Sequence, residues 1–204
     1  MSRLAAVPAA FLLLAPAVGG AALAAQSARP AAAQVAAAVA PLPDSLRAGA
    51  RVLGYGADGR LVTLRRGTNE QVCLADDPAR DGFHVACYHR DLEPFMARGR
   101  ELRAAGVTDR TAIDSVRGAE IRARTLAMPP QPTTLYELFG KDDGWDPASG
   151  AVRAADAMWS VYIPYATTAS TGLQLRPVPG GGPWLMAPGT PWAHIMVVPE
   201  RTRH

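Results

Sequence analysis

The chain has 204 residues, of which 49% are hydrophobic but only 6% aromatic, and its formal net charge is +3. Lys141 is the single lysine among 21 basic residues, a usage that reflects GC-rich coding sequence. The arginines between Arg98 and Arg124 are interleaved with Glu101, Asp109, Asp114 and Glu120, a mixed solvated surface that excludes the one-sided positive face of a nucleic-acid binder.

The chain opens with Met1-Ser2-Arg3 and an apolar run from Leu4 to Val18, followed by Ala22-Leu23-Ala24. A basic start, a short apolar core and a small-x-small triplet predict a signal peptide over 1–24. Pro8, Pro16 and Gly19-Gly20 break the run, which is too short for the roughly 20 apolar residues of a membrane-spanning helix. Segment 25–49 is rich in Ala and Pro and poor in bulky apolar residues, so it reads as a flexible leader. Residues 50–199 are long enough to bury a core as one domain, and 200–204 form a C-terminal tail.

Within that domain, 51–55 and 61–64 flank Asp58-Gly59, the signature of a two-stranded hairpin. Third and fourth strands are predicted over 71–74 and 83–88, separated by a polar loop that begins Asp76-Asp77-Pro78. Asp91 is placed to cap a helix carrying Leu92, Phe95, Met96, Gly99 and Leu102 on one face and ending at Gly106. A second helix is predicted from Thr108 or Asp109 to about Ala127, stopped by Pro129-Pro130. Extended segments over 134–139, 158–163 and 194–198 complete the chain. Strands, two helices, then strands define an α+β fold with a mainly antiparallel sheet.

Cys73 and Cys87 are the only cysteines. An exported chain meets an oxidising compartment, and their spacing matches neither C-x-x-C nor a zinc ribbon, so a structural disulfide is predicted.

Several places can carry chemistry. His194 opens an apolar strand and is expected to line a polar pocket near Cys73 and Cys87, the alternative being a satisfied core histidine. His89, with Asp76, Asp77 and Glu93, has the ligand types of a carboxylate–imidazole metal site, although the aspartates also suit an ordinary turn. Glu120 lies near the apolar stripe of the second helix. Buried there it would have a raised pKa; otherwise it would pair with Arg124 at i+4. Ser170 lacks a nucleophile elbow. Trp184 and Trp192 bracket a Pro- and Gly-rich segment and either present an aromatic binding surface or close a small core.

Short blocks resemble a family of secreted bacterial proteins of unknown function. They are Gly67-Thr68-Asn69, Asp76-Asp77-Pro78, the two cysteines, the late strand Ala193-His194-Ile195-Met196-Val197, and the helix from Leu92 to Leu102. Relatives tend to carry Trp where this chain has Gln71, and Asp where it has His89. The resemblance implies export and a shared fold, and it implies no activity. The reading is therefore an exported, periplasmic or extracellular binding module for an envelope or extracellular ligand, with no cofactor and no transmembrane span in the mature chain. The alternative is a metal-dependent or general acid–base enzyme using His194 with His89, Asp77 or Glu120, where the cofactor would be a divalent metal ion.

Overall fold

The computed structural model describes residues 29–177 and 181–199; the expected signal peptide and the C-terminal tail lie outside the described residues. Eight strands form one sheet: β1 (Arg51–Tyr55), β2 (Leu61–Arg65), β3 (Gln71–Leu74), β4 (Phe83–His89), β5 (Thr133–Gly140), β6 (Asp156–Tyr162), β7 (Trp184–Met186) and β8 (His194–Val197). Their spatial order is β2-β1-β3-β4-β5-β6-β8-β7. Every neighbouring pair is antiparallel except β1 with β3. The fold is α+β with a mainly antiparallel sheet, as the order of elements predicts. The Asp58-Gly59 turn closes the first hairpin, with Gly59 at φ 73°, where a side chain would be strained.

Strand alternation gives the sheet two apolar faces. Phe83, Val85 and Cys87 of β4 point one way and Ala86 and Tyr88 the other, and all five are buried. The Ala86–Tyr88 face is covered by α3 (Glu93–Ala104) and α4 (Arg110–Arg122), which bring Phe95 and Ile121, with Leu92 just before α3, onto Leu53, Leu135 and Tyr162. Asp109 caps α4 through Oδ1, which accepts the N–H of Ala112 at 2.7 Å. This helix ends at Arg122, short of the expected Ala127, because Arg124 takes the left-handed conformation at φ 60° and turns the chain.

The opposite face corrects the reading of 25–49 as a flexible leader. Its described part contains α1 (Ala31–Ala38) and α2 (Asp44–Arg47). Ala33, Ala37, Ala38, Val39 and Leu42 are buried; Ala38, Val39 and Leu42 pack with Val52, Cys73 and Cys87, and Ala37 packs with Phe83 and Val85. Alanine contributes little area per residue, but its small side chain lets a helix backbone lie close to a sheet. The Cys87 sulfur is 3.0 Å from the Ala38 carbonyl oxygen. Gln34, 4% exposed, donates to the Tyr55 carbonyl at 3.0 Å and accepts the Tyr55 N–H at 2.8 Å, pairing the end of β1. Arg29 then pairs with the buried Asp76 carboxylate and lies over the Trp145 ring at 4.8 Å. Burial pushes the Asp76 carboxyl above its ordinary pKa, against the opposing pull of the His84 N–H and Arg29.

Cys73 lies directly opposite Cys87 across β3 and β4, and the two form a disulfide with both residues fully buried. Beside it, the Oε1 atom of Gln71 is buried with no hydrogen-bond partner among the described residues. An unpaired buried acceptor costs roughly 1–3 kcal/mol, so Gln71→Met, of similar length, is expected to raise stability by about 1 kcal/mol. A chemical denaturation curve measures it; an unchanged or lowered midpoint would show that Gln71 is satisfied in solution.

Candidate functional site

The proposed catalytic and metal-binding side chains do not come together. His194 pairs with Tyr162 of β6 on one side and Met186 of β7 on the other. β8 is three strands from β4 and four from β3, about 14–19 Å at ordinary strand spacing, so the expected pocket beside Cys73 and Cys87 does not exist. Instead the ring stacks on Tyr162 at 5.0 Å between centroids, and Nδ1 lies 2.8 Å from the Trp192 carbonyl oxygen. That contact makes Nδ1 the donor, because a carbonyl can only accept. Burial lowers the His194 pKa. This is a core histidine satisfied by backbone.

Glu120 is neither a raised-pKa acid nor the partner of Arg124. Arg98 of α3 grips it with two nitrogens, Nε at 2.9 Å and Nη2 at 2.6 Å, and this guanidinium holds the carboxyl below its usual range. The pair joins α3 to α4. Helix periodicity showed only neighbours on one helix, and the true partner lies 22 residues away.

Asp77 closes a turn, accepting the Ala79 N–H at 3.0 Å, while burial first and this carboxylate second push the Tyr55 hydroxyl up to about 12. Among the described residues no group of three or more His, Cys, Asp or Glu side chains is placed to hold a metal ion. Of the partners suggested for His89, Asp76 is held by Arg29 and Glu93 by Arg100.

Trp184 is only 9% exposed and cannot present a binding surface. Trp192 is half-buried, stacked on Phe95 at 6.2 Å, and Gly118 makes room for it, since a Cβ there would stand 3.2 Å from the indole. Both tryptophans close the core. The exposed tryptophan is Trp159, at 42%, on the sheet face away from α3 and α4. Alternation around it was legible, but which face the helices would leave open was not. A half-exposed imidazole–carboxylate pair, His84 Nε2 to Glu137 Oε1 at 3.0 Å, is likewise not visible in the sequence. Its members lie 53 residues apart and only the β4–β5 register unites them.

A cleft of about 420 Å³ opens where β1 begins and α3 starts. Its charged lining is Arg51, Arg90, Asp91 and Glu93; its apolar lining is Val72, Pro94 and the run Ala127-Met128-Pro129-Pro130. The sequence places these groups for local reasons. β1 and β3 run parallel with Arg51 opposite Val72, so the guanidinium stands at the strand's mouth. A 3-10 turn, Arg90–Leu92, links β4 to α3, with His89 Nδ1 accepting the Asp91 N–H at 3.3 Å. The two prolines keep the segment after α4 extended, forming the far wall.

Beneath the cleft, Tyr88 donates to Glu93 at 2.5 Å, and Arg100 contacts the Tyr88 oxygen at 2.9 Å and Glu93 at 2.8 Å. Burial raises the Tyr88 pKa, keeping the phenol protonated and the network fixed. The sequence signals for this site were the helix start and the Pro-Pro stop; their meeting across three strands was not visible. No family model, curated protein or solved structure matches the chain.

Proposed function

We propose that this chain is an exported, disulfide-containing binding module, which holds its ligand in the cleft between β1, α3 and the 127–130 wall. The single observation that carries this reading is the cleft's composition. The cleft is shallow and open, but its largely apolar wall and few fixed polar groups have the make-up of a small-ligand site, and 420 Å³ falls within the usual size range. Export is supported by the disulfide and by the signal-like start of the sequence. Among the described residues no helix is long and apolar enough to cross a membrane.

Methionine methyl groups report directly on such a site. With ¹³C-methyl methionine, a panel of small carboxylates, amines and amphipathic zwitterions is expected to contain compounds that shift the Met128 signal, assigned by Met128→Leu. Ala127→Trp, at an exposed position on the rim, should abolish those shifts while leaving the other methionines in place. A panel that never moves Met128, or that moves it equally in Ala127→Trp, would sink the reading.

A further inference from the structure

The four charged groups of the cleft are not equivalent. Arg90 is paired with Glu70, which also accepts the Arg90 N–H through its carbonyl at 2.7 Å. Glu93 is neutralised by Arg100 and accepts a hydrogen bond from the Tyr88 hydroxyl. These two charges are spent within the fold.

Arg51 and Asp91 are different. Among the described residues the Arg51 side chain meets no carboxylate; its one hydrogen bond goes to the Thr63 hydroxyl at 3.3 Å. Asp91 Oδ2 stands 3.5 Å from His89 Nδ1, but that nitrogen already accepts the Asp91 backbone N–H. That ring nitrogen is taken up by the backbone, and among the described residues no side chain donates a hydrogen bond to the Asp91 carboxylate. Among the described residues the cleft thus has a cation on β1 with no carboxylate partner and an anion just beyond β4 with no side-chain hydrogen-bond donor. Between them lies the apolar surface of Val72, Pro94, Met128 and Pro129.

From this geometry, and resting on the cleft as the binding site, we infer that the ligand is a short zwitterionic peptide with apolar side chains. Its carboxylate lies on Arg51 and its ammonium on Asp91. β1 and β4 are two strands apart, roughly 10 Å. An extended peptide of two residues spans about 7 Å, and the Arg and Asp side chains reach inward to close the difference. A guanidinium offers a fork of donors that matches a carboxylate, and Asp91 offers acceptors to an ammonium. Both charged ends sit at the mouth, where water reaches them, and the side chains lie against the prolines and Met128.

The test uses the whole mature protein and L-leucyl-L-leucine, read by the Met128 methyl shift and by calorimetry. Free dipeptide is expected to bind, and N-acetylation or C-terminal amidation should each weaken binding about tenfold, the size of one charge-assisted contact. Arg51→Gln should erase the penalty of amidation while keeping that of acetylation, and Asp91→Asn should do the reverse. A structural effect of either variant would weaken free and blocked peptides alike and would overturn the assignment. Blocked peptides binding as well as free ones would overturn it too. If panel compounds move Met128 and dipeptide does not, the zwitterion falls and the cleft stands; if nothing moves Met128, both fall.

Discussion

Deleting residues 29–49 is expected to destroy the native fold rather than trim a loose end. Val39 and Leu42 are buried, and burial of such side chains stabilises by roughly 1.5–3 kcal/mol each. Ala33, Ala37 and Ala38 add to this, and their loss uncovers Val52, Phe83 and Val85 as well. Gln34 would leave the end of β1 unpaired, and Asp76 would be buried without Arg29. The sum exceeds about 5 kcal/mol, comparable with the whole stability of an ordinary domain. A chain starting at residue 50 should therefore lack a cooperative denaturation transition in circular dichroism. A transition at the same midpoint as the longer chain would show that α1 is dispensable.

Loss of the disulfide comes next in size. Cys73 and Cys87 are 14 residues apart in sequence, and closing a loop of that length constrains the unfolded chain by about 3 kcal/mol in the chain-entropy account. The double substitution Cys73→Ala with Cys87→Ala should lower the melting temperature by roughly 6–12 °C for a domain of this size. Both sulfurs are buried beneath α1, so native protein should resist alkylation, and its intact mass should increase by two hydrogens on reduction after unfolding. Two thiols alkylated rapidly in the native, unreduced protein would contradict the pairing.

These two expectations mark what sequence reasoning reaches. The disulfide was legible because only two cysteines exist and compartment and count agree. The β1–β2 hairpin, the later strands, both long helices and the α+β class were legible from alternation, periodicity and turn residues. α1 was not. Its hydrophobicity is made of alanine, which by area has little to bury, and the gain comes from a close fit that only the facing sheet reveals. The three-residue β7 was too short to show a period. The site residues failed for a related reason. His194 and Glu120 were read by their own strand and helix, whereas their partners, the Trp192 carbonyl and Arg98, are set by turn geometry and helix packing. Arg51 and Asp91 line one cleft only because a single strand, β3, separates β1 from β4.

The strand order also governs how the chain finds its fold. β1 with β2, β3 with β4 and β5 with β6 are each formed by closing a short stretch of chain, and these local closures cost little entropy. The two joints of longest sequence range are different: α3 and α4 stand between β4 and β5, and β7 and its loops stand between β6 and β8. Folding speed falls as contacting residues become more distant in sequence, so these two zippering steps set the pace. The β4–β5 joint seats Tyr88 against Leu135 on the floor beneath α3, and the helix pair must assemble before that floor is covered. Oxidation of Cys73 and Cys87 needs only the local β3–β4 closure. The crosslink can thus form early, before α1 docks over it and seals it from reductants.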